Sequence, residues 1–237
     1  MKRYENKRVL CFGCLHIPYH HRDAFKFLQA IKTEYAPDRV INMGDEVDLQ
    51  SIKFHPQDPD LMNAGEELKQ DRVYLKELEK IFPDVLSVKS NHGTLVHRRT
   101  LSAGLPRGLI RSYNKIYGLG TGWKWSTDLN LTMSDKSAWY FCHGKSSNAL
   151  TLSKSLGGNA VQAHYHNSFF TTSWMNQKND LYWGVQVGTL IDDRSFSFNY
   201  NKSNVYRPIL GASIIIEGIP RLIPMILTKS GRWNGKL

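Results

Sequence analysis

One pattern constrains this chain most: short apolar runs that break off abruptly in polar turns. RVLCFG (8–13) breaks into CLHIPYHHRD, RVINM (39–43) into Gly44-Asp45, and DVLSV (84–88) into KSNHG. Segments of helical spacing lie between them. Ala24, Phe27, Leu28 and Ile31 share one face behind Asp23, which is placed to cap that helix. Leu68, Val73, Leu75, Leu78 and Ile81 recur over a second helix from Ala64 to Phe82. Strand, loop, helix, strand predicts a parallel α/β sheet. Loops leaving the carboxyl ends of such strands converge on one edge, and ligands bind there.

Thr94 to Thr127 reads as helical and loop-rich. SAWYFC (137–142) and AVQA (160–163) are further strands, each ending in histidine, with a helix between them near Asn148 to Leu156. FFTTSW, LYWGVQVG, ASIIIEG and RLIPMIL complete a strand-rich C-terminal third, whose most loop-like part runs from Asp192 to Arg207. We expect one domain over residues 1–237, with a central β layer and helices outside. A chain of 237 residues buries enough surface to fold without a structural metal, so any metal it binds is functional.

The strand ends carry Gly13-Cys14-Leu15-His16, Gly44-Asp45-Glu46-Val47-Asp48, Ser90-Asn91-His92-Gly93, His143-Gly144 and Ala163-His164-Tyr165-His166. Singly these mean little, because a Gly-Asp pair is usually a turn and a lone histidine is usually no ligand. Their order resembles the calcineurin-like metallophosphoesterase superfamily, whose pattern runs D-x-H, G-D-x-x-D, G-N-H-[DE], H and G-H-x-H. The resemblance covers residues 9 to 166 and continues loosely beyond. The intervening stretches look like members found in bacteriophage genomes.

The resemblance implies a four-layer α-β-β-α sandwich with a binuclear metal site at the strand ends. The first divalent ion would take Cys14, His16, Asp45 and His166, and the second Asp45, Asn91, His143 and His164. A metal-bridging hydroxide would attack a phosphoester, His92 would protonate the leaving oxygen, and Asp48 would orient His92, unless Asp48 is only a loop cap. Manganese, iron or zinc would serve as the ions.

Three motifs depart from the pattern. Cys14 stands where aspartate is usual. Either it is no ligand and that site is weak, or its thiolate binds and favours zinc or iron. RNA lariat-debranching enzymes of the same superfamily share this Cys-x-His start. Ser90 and Gly93 replace the glycine and the acidic residue flanking Asn91-His92, and Ala163 replaces the glycine before His164. Gln50, where the protein phosphatases have glycine, argues against that branch.

Net charge is +10 with a pI near 9.5, which suits a polyanionic partner, nucleic acid or a nucleotide, or else marks only a solvated basic surface. Arg98 and Arg99 would bind substrate phosphate, with Arg107 and Arg111 nearby, or form an ordinary basic helix face. Trp123 and Trp125 would stack on a base or pack in the core. His20, His21, His55 and His97 read as exposed loop histidines. Three cysteines without a pairing framework fit a reducing cytoplasm, that of the host if the chain is phage-encoded. The N-terminus lacks the apolar segment of a secretory signal, and no apolar run is long enough to span a membrane. The motifs favour a phosphoesterase, with a diester preferred to a monoester. The alternatives are a nucleotide phosphomonoesterase, and a non-catalytic scaffold or nucleic-acid-binding member of the fold.

Overall fold

The computed structural model describes residues 5–54, 60–195 and 206–237. Its first half runs β1 (Arg8–Phe12), α1 (Ala24–Tyr35), β2 (Arg39–Asn42), α2 (Ala64–Ile81) and β3 (Val85–Val88), and the three strands pair in parallel as their pattern predicts. The side chains divide by alternation. Leu10, Phe12 and Val40 face α1 and α2, whereas Val9, Cys11 and Ile41 face the other way. A strand buried on both faces has no solvent side, which is why these runs read as continuously apolar.

Helix α2 begins with a capping box in which Asn63 Oδ1 accepts from the Gly65 and Glu66 amides and the Glu66 carboxylate accepts from the Asn63 amide. Asp23 does not cap α1. Its carboxylate instead accepts from the Arg232 guanidinium and the Trp233 amide, pinning the C-terminal segment across the start of the helix.

The stretch expected to be helical and loop-rich contains α3 (Leu95–Ser102) and α4 (Tyr113–Tyr117), but it ends in a strand, β4 (Trp123–Ser126), parallel to β3. Trp123 and Trp125 are both packed inward. Trp123 Nε1 donates to the Phe82 carbonyl at 3.0 Å, and Trp125 Nε1 donates to Glu46 Oε1 at 3.1 Å.

A second sheet follows, built from β5 (Leu129–Thr132), β6 (Ala138–Cys142), β7 (Asn159–Gln162), β8 (Phe170–Met175) and β9 (Leu181–Gln186) in the order β5-β6-β7-β9-β8. Helix α5 (Ala149–Leu156) covers its outer face and is capped by Asn148. The chain then returns to the first sheet as β10 (Gly211–Ile216), antiparallel to β1, and β11 (Ile219–Pro224) at its edge.

The inner faces of the two sheets meet in a shared core that includes Val9, Cys11, Ile41, Trp139, Phe141, Val161, Val185 and Ile215. Each large side chain buried there contributes roughly 1.5–3 kcal/mol. The layers are therefore α, β, β, α. All three cysteines are buried and free, and among the described residues no helix is long and apolar enough to cross a membrane. His55 and most of the Asp192 to Arg207 loop lie outside the described residues.

Candidate metal centre

The carboxyl ends of β1, β2 and β3 in one sheet, and of β6 and β7 in the other, lead into the loops that carry Cys14, His16, Asp45, Asp48, Asn91, His92, His143, His164 and His166. The loops after β1 and β2 continue the parallel ladder beyond the strands. Cys14 N donates to the Gly44 carbonyl at 2.9 Å, His16 N to Asp45 O at 2.9 Å and Ile17 N to Glu46 O at 3.1 Å. This zipping requires unusual backbone. Cys14, His16, Asp45 and His164 all have φ between 49° and 72°, in the left-handed region that costs a non-glycine residue about 1–3 kcal/mol. Gly44 has φ 93°, and a Cβ there would lie 2.7 Å from Ser90 Cβ and 2.8 Å from His143 Nδ1. The positive φ falls on His164 itself and not on Ala163, so alanine replaces the family's glycine without strain.

Two groups of donor atoms share Asp45: Cys14, His16, Asp45 and His166 in one, and Asp45, His143 and His164 in the other. Their hydrogen bonding indicates what is missing from the site. His143 Nδ1–H donates to the Met43 carbonyl at 2.7 Å, so in the neutral ring Nε2 presents a lone pair. That lone pair faces Asp45 Oδ2 at 3.0 Å and His164 Nδ1 at 3.1 Å. In the same way His16 Nδ1–H donates to Asp48 Oδ1 at 2.8 Å, and Nε2 faces His166 Nε2 at 3.2 Å and Asp45 Oδ2 at 3.4 Å. Acceptors facing acceptors at these distances need a proton or a cation between them. The spacing also suits a metal, since bonds of about 2.0–2.1 Å to imidazole place neighbouring ligand nitrogens roughly 3.3 Å apart in a tetrahedral shell.

The charge states differ across the set. Burial lowers the His143 pKa, but Asp45 and the Met43 carbonyl outweigh it and leave that ring above the ordinary value. A proton or a cation between His143 Nε2 and Asp45 therefore satisfies both. Burial and the neighbouring His143 keep His164 below the ordinary histidine value, and burial with His16 keeps His166 well below it, so both rings are neutral and able to ligate. Burial alone would raise the Asp45 carboxyl, but His143 and His92 outweigh it and hold Asp45 well below the usual range. Burial, reinforced by Asp45, pushes the Cys14 thiol far up. Cys14 thus becomes a thiolate only when a cation sits beside it. The donor set fits divalent ions, and Asn91, whose side-chain amide has no partner among the described residues, stands at the rim next to His164.

His92 sits beside this centre. Its amide donates to Asp45 Oδ1 at 3.1 Å, and its Nδ1–H donates to the Asp48 carbonyl at 2.6 Å with Asp48 Oδ1 at 3.1 Å. Burial lowers the His92 pKa, but Asp45 and Asp48 outweigh it and leave the ring above the ordinary value. The contact expected between Asp48 and His92 is present, but Asp48 serves more partners than the motif suggests. It is completely buried, it orients His16 as well, and its Oδ2 accepts from Lys53 Nζ at 3.1 Å.

Several supporting residues carry no motif. Ser90 Oγ accepts from the Asp45 amide at 2.8 Å and the Gly93 amide at 3.0 Å, so this departure ties the second loop to the third. A Cβ at Gly93 would start 3.2 Å from Glu46 Oε1, so a carboxylate from the second motif stands close to where the family's acidic residue would be. Glu67 accepts from the Gln50 amide and from the Ser51 amide and hydroxyl, holding the turn at Gln50–Ile52 that presents Lys53.

Arg99 completes that clamp. Its guanidinium donates to the Ile52 carbonyl at 2.6 Å and to the Lys53 carbonyl, and it stacks 4.1 Å from the centre of the Phe54 ring. Arg98 donates to the Asn91 carbonyl at 3.3 Å. Neither arginine lines the hollow over the donor atoms, so both act here on the loops that carry the site.

That hollow encloses about 350 Å³ and is walled by His16, Asp45, Asn91, His92, His164 and His166, with Tyr165 and Tyr206 at its mouth. Of the histidines expected in exposed loops, His21 is buried and donates to the Gly231 carbonyl at 3.1 Å, and His20 packs between Phe25 and Tyr74.

No family model matches the sequence, and no curated protein matches it. Solved structures do match. Vps29 from Chaetomium thermophilum aligns with a TM-score of 0.51 at 13% identity over 96% of this chain and 93% of that one. The same protein complexed with a RaPID-derived cyclic peptide aligns with a TM-score of 0.51 at 13% identity, over 96% and 91%. YfcE, a phosphoesterase from E. coli, aligns with a TM-score of 0.45 at 10% identity over 88% and 87%. At such identities the likeness extends to architecture alone. The layer order, the mixed sheets and the Vps29 alignment agree that this chain has the calcineurin-like metallophosphoesterase fold.

Proposed function

We propose that residues 1–237 act as one metal-dependent phosphoesterase domain, with nucleic acid or a nucleotide as substrate. The observation that carries this reading is the pair of donor groups sharing Asp45, with His92 held at their edge by Asp45 and Asp48. Cys14, His16, Asp45 and His166 would hold one divalent ion, and Asp45, Asn91, His143 and His164 a second. Such ions supply Lewis acidity, drawing charge from phosphoryl oxygens and making water a nucleophile at neutral pH.

The protein's own groups do the rest. Asp48 fixes His16 and His92 through their Nδ1 atoms, leaving each Nε2 directed away from it. As the bond from the water oxygen to phosphorus forms and the bond to the leaving oxygen breaks, His92 passes its Nε2 proton to that oxygen. The net charge of +10 supports a polyanionic substrate.

The test is hydrolysis of 4-nitrophenyl phosphate and bis(4-nitrophenyl) phosphate after reconstitution with manganese, iron or zinc. For an ester with a poor leaving group, His92→Ala is expected to lose about 10²–10⁴-fold in rate with metal content unchanged. The cyclic-peptide complex of Vps29 supports a second reading, a binding module without catalysis. Under that reading the reconstituted protein turns over neither ester, and His92→Ala leaves partner binding intact.

A further inference from the structure

A second hollow of about 250 Å³ adjoins the first, with Asn91 and His164 walling both. His143 lines only this second space, and His92 only the first. The second hollow also presents Lys89, Thr127 and Lys145. Lys145 is paired with Asp128 at 2.5 Å, whereas Lys89 has no ion-pair partner among the described residues.

The asymmetry has a chemical meaning. A leaving oxygen must sit within reach of His92, so the leaving group occupies the first hollow. In an in-line displacement the attacking and leaving oxygens take opposite apices, and any further substituent on phosphorus projects sideways between them. A monoester has only bare oxygens there. The second hollow holds the volume of roughly eight water molecules at about 30 Å³ each, far more than one such oxygen fills. Asp128 lines the hollow beside Lys145, and with Lys89 the two ammonium groups outnumber that carboxylate, which suits a negatively charged extension.

We infer that the hollow walled by Lys89, Thr127, His143 and Lys145 is the subsite for the non-leaving arm of a phosphodiester. The adjacent phosphate of a nucleotide chain then lies against the Lys89 and Lys145 ammonium groups. This inference rests on the phosphoesterase reading and narrows it to diesters that carry a second phosphate on the non-leaving side.

The test uses the metal-reconstituted full chain and four substrates: the two nitrophenyl esters, and a dinucleotide with and without a terminal phosphate on its non-leaving nucleoside. The diesters should be turned over in preference to the monoester, and the terminal phosphate should lower KM. The Lys89→Ala/Lys145→Ala double variant should raise KM for the phosphorylated dinucleotide roughly tenfold. For bis(4-nitrophenyl) phosphate, whose non-leaving arm carries no second phosphate, the rise in KM should be smaller. An equal KM in variant and parent, or turnover of the monoester alone, overturns the subsite while the phosphoesterase reading stands. No turnover of any ester with any metal overturns both.

Discussion

The two groups of donors around Asp45 differ in depth and chemistry. Cys14 and His16 are each 1% exposed and sit where the first and second loops zip together, with a thiol among the donors. Asn91 and His164 belong to the other, and His143 lines the second hollow. On the proposed reading the buried half would set which ion is held, because a thiolate is a soft donor and the geometry there is fixed by backbone. The open half would set what is bound, because Asn91 and His164 line both hollows. One carboxylate couples the two tasks.

Removing that coupling is the most severe test. Asp45→Asn should lower phosphoesterase activity roughly 10³-fold or more, about 4 kcal/mol of barrier, and reduce metal content measured by elemental analysis. Full metal content with full activity would show that the halves work independently.

Lys53→Met probes the support behind the buried half. With the Lys53 ammonium gone from Asp48 Oδ2, His16 and His92 are held less firmly, and the expected loss is about 10–100-fold. The loss should be greatest for alkyl leaving groups, which need protonation, and small for nitrophenolate. Lys53→Arg should restore most of it. Equal losses for both leaving groups would place Lys53 outside the path to His92.

Cys14→Asp should shift metal preference from zinc towards manganese by roughly tenfold, read by competitive reconstitution. An unchanged preference would remove Cys14 from the donor set and leave the buried half a weaker site.

A further effect, on stability and not on activity, lies further back. Asp71 on α2 is fully buried, and neither of its carboxylate oxygens has a hydrogen-bond partner among the described residues. Burial, with Glu67, Asp48 and Glu46 nearby, pushes its pKa up to about 9. A carboxyl raised above its unfolded value contributes stability that is fully present at low pH. That contribution is lost as pH climbs from the ordinary carboxylate range through about 9, at up to about 1.4 kcal/mol per pH unit. Asp71→Asn removes this dependence. Its urea midpoint should therefore gain on the parent protein between pH 5.5 and 8.5, and a constant difference would show that Asp71 is ionised throughout.

How much of this was readable in the sequence varied with the range of the interactions. The first three strands and the helices between them follow from runs buried on both faces and from helical spacing. Strands β4 and β5 escaped, because WKWS and LNLT contain no continuous apolar run; β4 is a strand by pairing with β3, and β5 by pairing with the next strand, β6. Asp23 looked like a helix cap, yet a guanidinium 209 residues away in sequence outcompetes the local amides. The donor residues were legible by order and strand-end position. Lys53, Ser90 and Arg99 were not, since each acts on atoms brought near only by the folded loops. Glu67 and Asp71 did leave a trace: they fall in step with Leu75 at four-residue intervals, placing acids on the apolar face of α2.

The left-handed backbone at Cys14, His16, Asp45 and His164 has a consequence for how this chain can change over generations. Glycine at any of the four would relieve strain and, by that measure, make a sturdier protein. Drift towards stability alone would therefore erase these side chains one by one. Four donor side chains held in a costly conformation at one edge are what selection for the site, rather than for the fold, would leave behind. A library scored separately for folding and for activity should show the two preferences opposed at these four positions.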